Sequence, residues 1–197
     1  MGNKEIQERR MKSYFIQATK EILKGEGLKC ISVRNVAERA GYSYATLYNY
    51  FKDVKDLIFE CVLDFQEECE EFVKGETEST PSGPGKIKAI AKAYIKYFIQ
   101  YPGIFELFFL EKTNELAHKQ PTIMLIYSFL DKLSENEWDF CIKTDSMNAE
   151  EAVITRDTLH YTVIGMLLFY LNRRQPVTYK EFTERVEIQL NTILKIN

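Results

Sequence analysis

The sequence predicts an all-α fold, and three features of it support this. Apolar residues recur at intervals of three and four along most of the 197 residues, a spacing that places them on one face of a helix. Proline is scarce, with five residues, and glycine is modest, with nine, which leaves room for long uninterrupted helices. Apolar residues make up 45% of the chain, enough to bury a core. We expect about nine helices from this periodicity.

Three helices are predicted in the first fifty residues. An apolar stripe from Ile6 to Leu23 indicates the first helix, which should end at residues 25–27 because Gly-Glu-Gly readily adopts the left-handed backbone of a helix terminus. Ser32 is a good N-cap for a second helix of two turns. Ser43 is placed in the same way to cap a third.

The second and third helices are predicted to form a helix-turn-helix. Small Ala37 and Ala40 allow close packing of the two helices, and Gly41 supplies a tight turn between them. Leu47 and Phe51, four residues apart, would point inward from the third helix. Two helices joined by a turn of about three residues form the geometry that reads the DNA major groove.

The charge distribution favours a polyanionic partner at one end of the chain. Residues 1–55 carry eleven Lys/Arg against six Asp/Glu, although the net charge of the whole chain is −3. A basic first quarter on an acidic body is typical of a protein that contacts nucleic acid with one end. Because blocks of charge are also common on solvated surfaces, the charge supports the motif and does not replace it.

Two segments carry a resemblance to a known family. They are Ser32-Val33-Arg34-Asn35-Val36-Ala37-Glu38-Arg39-Ala40-Gly41 and Thr46-Leu47-Tyr48-Asn49-Tyr50-Phe51. Together they resemble the DNA-binding domain of the TetR family of transcription regulators, over residues 10–60. The resemblance implies a three-helix helix-turn-helix domain over residues 1–52 and an α-helical effector-binding and dimerisation domain over residues 53–197. It also implies three partners, which are double-stranded DNA, a second copy of the chain and a small-molecule effector.

The resemblance assigns the reading helix to residues 43–50. Tyr44, Ala45 and Thr46 would approach base edges, and the Tyr48 hydroxyl would donate to a phosphate. Ser32 and Arg34 would contact phosphate or flanking groove atoms from the start of the second helix. The full set expected at the DNA is Ser32, Arg34, Tyr42, Ser43, Tyr44, Ala45, Thr46, Tyr48, Asn49, Tyr50, Lys52 and Lys55.

The chain departs from the family pattern at two of these positions. Tyr44 stands where lysine or a similar residue is common, so base preference cannot be carried over from relatives. Val54 replaces a lysine at the head of the fourth helix, which leaves Lys52 or Lys55 to reach a phosphate. An alternative is that the tyrosines form an aromatic cluster that serves packing alone, although four of them within nine residues cannot all face inward on so short a helix.

Six further helices are predicted after this domain. Asp53 would cap the fourth, whose buried stripe runs to Phe72 and which should end in a flexible loop over residues 75–85. The others are expected over residues 86–101, 103–112, 121–143, 148–173 and 179–196, with Pro102 breaking the first from the second. The resemblance implies that the last two helices form a four-helix dimer interface with their copies, and Gly165 would allow close approach of a partner helix.

An effector pocket is predicted in the second domain, lined by aromatic residues with a few polar groups. The candidates are Phe98, Phe105, Phe108, Phe109, Met124, Tyr127, Trp138, His160 and Tyr161. Such a lining would suit a hydrophobic or flat aromatic compound. The alternative is that they are core residues, because aromatic residues at helical spacing usually are.

Other classes of protein are not favoured. The sequence has no G-x-G-x-x-G, Walker-type loop, G-x-S-x-G or H-E-x-x-H motif, and His118 and His160 stand alone, so we expect no enzyme, no cofactor and no metal. The four cysteines show no C-x-x-C pair and are expected to be reduced packing residues, with a redox-sensing thiol as the alternative. A polar N-terminus and an apolar run of only residues 161–171 predict a cytoplasmic protein without a membrane span.

The sequence thus predicts a ligand-responsive transcription regulator, acting as a repressor. A dimer would bind a palindromic operator and leave it when a small hydrophobic or aromatic effector binds. The effector would shift the helix that begins at Pro102, and this helix would push on the fourth helix and change the spacing of the two readers. The alternatives are a DNA-binding protein of the same fold that acts without a ligand, as an activator, or as a chromosome-organising factor.

Overall fold

The computed structural model describes residues 2–110 and 120–196, and all regular structure in these two ranges is helical. The predicted all-α class is confirmed. Ten α helices are described: α1 (Asn3–Gly25), α2 (Val33–Ala40), α3 (Tyr44–Tyr48), α4 (Val54–Thr77), α5 (Pro84–Gln100), α6 (Pro102–Phe109), α7 (Gln120–Tyr127), α8 (Phe129–Lys143), α9 (Ala149–Leu168) and α10 (Tyr179–Leu194). A 3-10 turn, Leu28–Cys30, precedes α2, and a π turn, Phe169–Arg173, extends α9.

Side-chain caps fix the starts of five helices. In each, the cap accepts a hydrogen bond from the backbone N–H three residues later, which satisfies one of the unpaired donors at a helix N-terminus. The distances are 3.1 Å at Ser32, 3.2 Å at Ser43, 2.8 Å at Asp53, 2.8 Å at Asn148 and 3.2 Å at Thr178. The caps predicted at Ser32, Ser43 and Asp53 are confirmed.

The chain divides into two compact units. The first consists of residues up to Glu67 together with Tyr101–Ile126. It therefore contains α1, α2, α3, the first half of α4, and also α6 and α7. Its core is a cluster of buried residues from α1 to α4 that includes the predicted inward pair of α3: Phe15, Ala18, Ile22, Val36, Leu47, Phe51 and Leu57. The boundary predicted after residue 52 separates a DNA-binding domain from an effector domain. The two units are defined by packing alone, so this boundary stays a prediction.

Helix α6 packs against the end of α1 and against the 3-10 turn. A Cβ atom on Gly103 would lie 2.2 Å from the carbonyl oxygen of Leu23 and 2.9 Å from the Cα of Gly27, so the two backbones meet where only glycine fits. Pro102 occupies the first turn of α6, as predicted. The predicted movement of this helix would push on α4, whereas the close packing at Gly103 is with α1.

The second unit consists of Glu68–Gln100 and of the chain from Tyr127 onward. Helix α5 packs against α8, α9 and α10 and so lies at its centre. The rings of Tyr94 and Phe98 pack with centroids 4.8 Å apart, and Phe129 of α8 lies 5.9 Å from Tyr94. All three side chains are buried, which is the pattern expected of a hydrophobic core.

The loop predicted over residues 75–85 is shorter than predicted, since α4 runs to Thr77 and α5 begins at Pro84. Helix α4 continues through Gly75 to Thr77, whose hydroxyl donates to the carbonyl of Val73 at 2.8 Å. Both Val73 and Thr77 are buried, and this burial outweighs the cost of about 1 kcal/mol for glycine in a helix interior. At the other end, the Gly83 N–H donates to the buried carboxylate of Glu137 at 3.0 Å.

Three other predicted helix bounds need correction. The helix expected over residues 121–143 is two helices, α7 and α8, separated at Ser128. The helix expected over residues 148–173 is α-helical only to Leu168 and then forms the π turn. Helix α6 ends at Phe109; the predicted end at Lys112, like His118, lies outside the described residues.

In the described part of the chain, none of the helices combines the length and the apolar character needed to span a bilayer.

Candidate nucleic-acid interface

The turn between α2 and α3 has the geometry that the sequence predicts. Gly41 is in the left-handed conformation with φ of 77°. Its N–H donates to the carbonyl of Glu38 at 3.1 Å, and the N–H of Tyr42 donates to the carbonyl of Ala37 at 2.9 Å. This pair of bonds closes the end of α2 and redirects the chain sharply into α3.

The tyrosines around α3 divide into two pairs. The rings of Tyr42 and Tyr50 pack on Phe15 of α1, with centroids 5.6 Å and 6.2 Å away. Tyr42 is still 37% exposed, and Tyr44 and Tyr48 are more so, at 65% and 53%. Because residues four apart share a helix face, these two side chains form one outward surface on α3. The packing explanation therefore covers Tyr42 and Tyr50, and leaves Tyr44 and Tyr48 available to a partner.

The hydroxyls at the start of α3 contact each other. The oxygens of Ser43 and Thr46 lie 2.9 Å apart, and Ser43 also accepts from the N–H of Thr46. One of these hydroxyls donates to the other, so the pair offers fewer free donors than two separate hydroxyls would. Ala45 is exposed beside them.

The remaining predicted DNA-contacting residues also lie at or near the surface. Arg34 is exposed on the first turn of α2, and Asn49, Lys52 and Lys55 are exposed after α3. Ser32 is half-buried as the cap of α2. These residues lie between the start of α2 and the start of α4, within one compact unit. Their contacts with DNA stay a prediction.

Sequence reasoning missed two residues beside this surface. Tyr14 belongs to the apolar stripe from which α1 is predicted, yet it is 51% exposed and its ring centroid lies 5.9 Å from that of Tyr42. Arg39 contributes to the positive charge of the region, but its guanidinium pairs with the carboxylates of Glu26 and Glu21. Neither contact could be read from local spacing, because each joins α1, or the turn that follows it, to a residue at least 13 positions further along the chain.

The residues predicted to line an effector pocket are divided between the two units. Phe105, Phe108, Phe109 and Met124 belong to the first unit, and Phe98, Tyr127, Trp138, His160 and Tyr161 to the second. Four of the nine are buried, namely Phe98, Phe105, Phe108 and Trp138, while Met124, Tyr127 and Tyr161 are more than half exposed. The Trp138 indole N–H donates to the Ser134 hydroxyl at 3.0 Å. A pocket shared by these nine residues stays a prediction.

A broad apolar surface lies on α9 and α10. A groove of about 590 Å³ there is lined in part by Tyr161, Phe169 and Ile188, which are 75%, 57% and 61% exposed. Gly165 also lines the groove, and a Cβ atom on it would meet no other heavy atom within 4 Å. Exposed apolar surface of this extent is typical of a protein–protein contact.

Three of the four cysteines are buried. Burial raises the pKa of Cys61 to about 12, with a smaller effect from Asp64, and burial also raises the pKa of Cys69 and Cys141. Thiols with raised pKa values stay protonated near neutral pH and react slowly. This supports packing roles for Cys61, Cys69 and Cys141.

Residues 15–61 match the family model described as bacterial regulatory proteins, tetR family. The N-terminal part of the chain is a TetR-family domain. The matched segment contains the core cluster from Phe15 to Leu57 and the whole of α2 and α3. It also contains the exposed pair Tyr44 and Tyr48. The resemblance to the TetR family that the sequence motif predicts is confirmed.

Solved structures similar to the whole chain include several described as tetR-family transcription regulators. FadR from Bacillus subtilis, in complex with stearoyl-CoA, has a TM-score of 0.73 at 14% identity, over 92% of this chain and 97% of that one. RolR in complex with resorcinol has a TM-score of 0.67 at 13% identity, over 98% and 89%. A putative tetR family transcription regulator from Shewanella sp. PV-4 has a TM-score of 0.64 at 11% identity, over 91% and 95%. At these identities the likeness shows the fold. No curated protein matches the chain in sequence.

Proposed function

We propose that this TetR-type chain is a ligand-responsive transcription regulator that represses by binding a palindromic operator as a homodimer. A small hydrophobic or aromatic effector would release it from the DNA. The observation that carries the proposal is the exposed face of α3, where Tyr44 and Tyr48 project from a helix-turn-helix whose other face is buried. With 65% and 53% of their surface exposed, these two side chains contribute little to the core.

Each group on this face would contact DNA in a way that suits its chemistry. The Tyr48 hydroxyl would donate to a phosphate and so add affinity on any sequence. Tyr44, at the first residue of α3, would meet base edges and thymine methyl groups in the major groove. Arg34, at the start of α2, would add charge near the phosphates, together with Lys52 or Lys55.

Dimerisation would follow from the apolar surface of α9 and α10. Side chains such as Tyr161 and Ile188 would lose their contact with water against a second copy, and the open face of Gly165 would let the helices approach closely. A dimer places two recognition helices about 34–36 Å apart, which matches one turn of DNA and requires a palindromic site.

The response to an effector is supported by the similar structures, since FadR was solved with stearoyl-CoA and RolR with resorcinol. Coupling to DNA would run through the contact of Gly103 in α6 with the end of α1. Since α1 contributes Phe15 to the core beneath α3, a shift of α6 would move the base of the reading helix. The effector would act by binding better to the arrangement that does not fit DNA.

Selection from random duplex DNA, followed by footprinting of the selected sites and of the intergenic DNA beside the gene, tests the proposal. We expect a symmetric site with two half-sites about ten base pairs, or a multiple of that, apart. A transcription assay with that site overlapping the promoter should show lower transcript levels with the protein present. Uniform coating of DNA without a preferred site would support the chromosome-organising alternative, and a rise in transcript would support activation.

A further inference from the structure

Helix α9 holds two buried nitrogen atoms whose hydrogen-bonding capacity is unused. They are Nε of Arg156 and Nδ1 of His160, and within the described residues neither has a hydrogen-bond partner. The two residues are one turn apart and so lie side by side on the helix. They flank the buried stripe of α9, which includes Leu159 and Val163. Both side chains therefore lie against the interior of the second unit.

A carboxylate on α8 lies near His160. Oδ1 of Asp131 lies 3.6 Å from Nδ1 of His160, which is close enough for an ion pair but too far for a hydrogen bond. The same carboxylate faces α5, since it helps to raise the pKa of Tyr94, which burial raises first and Cys69 also raises. Asp131 therefore faces the core residue Tyr94 as well as His160, and helices α5, α8 and α9 each contribute a polar group here.

Arg156 carries the charge that this arrangement leaves without a described counterpart. A guanidinium is protonated at every accessible pH, and that of Arg156 is half-buried, with its Nε shielded from water and without an acceptor. Within the described residues no carboxylate forms an ion pair with Arg156, whereas Asp131 stands opposite His160. An anion at Arg156 would supply the missing acceptor for Nε. The same anion would also accept a hydrogen bond from His160.

We propose that the effector carries a carboxylate, bound by Arg156 with His160 beside it, on an apolar or aromatic body. This rests on the proposed function and narrows the class of effector. A carboxylate matches the planar guanidinium, which can donate two parallel hydrogen bonds to it. A phosphate is disfavoured because its second negative charge would lie near Asp131. The apolar or aromatic body of the effector is carried over from the proposed function.

Matched acids and amides test the class of ligand on the wild-type protein. We would measure thermal stability and calorimetric binding with benzoate, phenylacetate and octanoate, and with benzamide, phenylacetamide and octanamide. At least one acid should bind, and its amide should bind about tenfold or more weakly, because the amide keeps the shape and loses the charge. Equal binding of acid and amide, or no binding by any of the acids, overturns the proposal.

Variants of α9 test the assigned residue. Arg156→Gln should weaken binding of the acid by about tenfold or more and leave the weak binding of the amide unchanged. Arg156→Lys keeps the charge and should retain part of the affinity. The control is Arg173→Gln, an exposed arginine at the far end of the same helical segment, which should bind the acid like the wild type. Wild-type acid affinity in Arg156→Gln would overturn the assignment.

Operator DNA separates this inference from the function on which it rests. In the absence of ligand, Arg156→Gln should bind the selected operator like the wild type, which also shows that it folds. If a neutral compound releases the DNA and no acid does, the carboxylate proposal is wrong while the regulator function stands. If the protein selects no operator, the regulator function fails, and the acid-against-amide comparison still decides whether the carboxylate site exists.

Discussion

The backbone of Gly103 lies so close to Leu23 that a Cβ atom on Gly103 would sit 2.2 Å from the Leu23 carbonyl oxygen. Both obstructing groups, this oxygen and the Cα of Gly27, are backbone atoms and cannot rotate away as a side chain would. The start of α6 and the end of α1 are therefore held at a fixed separation. Any movement of α6 would be passed directly to the helix that supports the recognition domain.

Gly103→Ala should displace α6 from α1. We expect a loss of about 1–3 kcal/mol in the free energy of unfolding, the usual cost of forcing an extra methyl group into a packed site. Urea denaturation measures it. The control is Gly75→Ala in the interior of α4, where a Cβ atom meets nothing within 4 Å and alanine should stabilise the helix by about 0.5–1 kcal/mol. Equal effects of the two substitutions would contradict the close packing.

The two exposed tyrosines of α3 should differ in what they contribute to DNA binding. Tyr48→Phe removes one hydroxyl and should weaken binding to all sequences by about two- to tenfold, the range of a single net hydrogen bond. Tyr44→Ala should in addition flatten the preference among base pairs. Fluorescence anisotropy with the selected operator and with point-substituted operators measures both, and Tyr127→Phe, an exposed tyrosine in the other unit, serves as the control. Wild-type affinity and preference in both variants would remove α3 from the interface.

Ser43 should contribute to stability and to DNA binding in separable ways. Ser43→Ala removes the acceptor for the Thr46 N–H and should lower the free energy of unfolding by about 1 kcal/mol. Ser43→Asp keeps a capping oxygen, so its stability should stay close to that of the wild type, but its negative charge should repel phosphate. Denaturation and anisotropy of the two variants distinguish these effects. Equal loss of stability in both would show that the cap does not stabilise α3.

The surface of α9 and α10 should hold the dimer together. Ile188→Glu places a charge at a side chain that is 61% exposed in the chain and lines the groove. Because burying that charge against a second copy is costly, we expect monomers in sedimentation and a loss of operator affinity. Ile142→Glu changes an exposed isoleucine of α8 and should leave the dimer intact. A monomeric wild type, or a dimer in both variants, would contradict the assignment.

The buried thiols make stability sensitive to high pH. The pKa of Cys61 is raised from 9.0 to about 12, so this thiol is protonated in the folded chain at pH values where it ionises in the unfolded chain. The associated stability is fully present below pH 9 and is lost as pH rises from 9 towards 12. Urea denaturation at pH 8 and pH 10 should show the fall, and Cys61→Ala should reduce the difference between the two pH values. Ellman's reagent at pH 8 should react with Cys61 and Cys69 only after urea is added.

Local signals in the sequence were enough to predict the helix-turn-helix. Ser32 and Ser43 act as caps, and Gly41 takes the left-handed conformation, all within a few residues of the helices that they bound. Such features depend on neighbouring backbone and can be read directly. They also explain why the start of α4 at Asp53 was predicted correctly.

Features that depend on distant residues could not be predicted in this way. Gly75 remains helical because Val73 and Thr77 are buried by other helices, and Arg39 is paired with carboxylates of a preceding helix and turn. The division of the tyrosines is of the same kind, since Tyr42 packs on Tyr14 and Phe15 of the distant α1. The pattern of residue types was visible, and their partners were not.

The division of the tyrosines separates what the domain needs to fold from what it needs to recognise. Tyr42 and Tyr50 contribute to the packing on Phe15, whereas Tyr44 makes no described ring contact and is 65% exposed. A substitution at residue 44 would therefore leave the free energy of unfolding nearly unchanged. Operator preference can then drift through evolution, or be altered in the laboratory, at a position where almost every side chain is structurally acceptable.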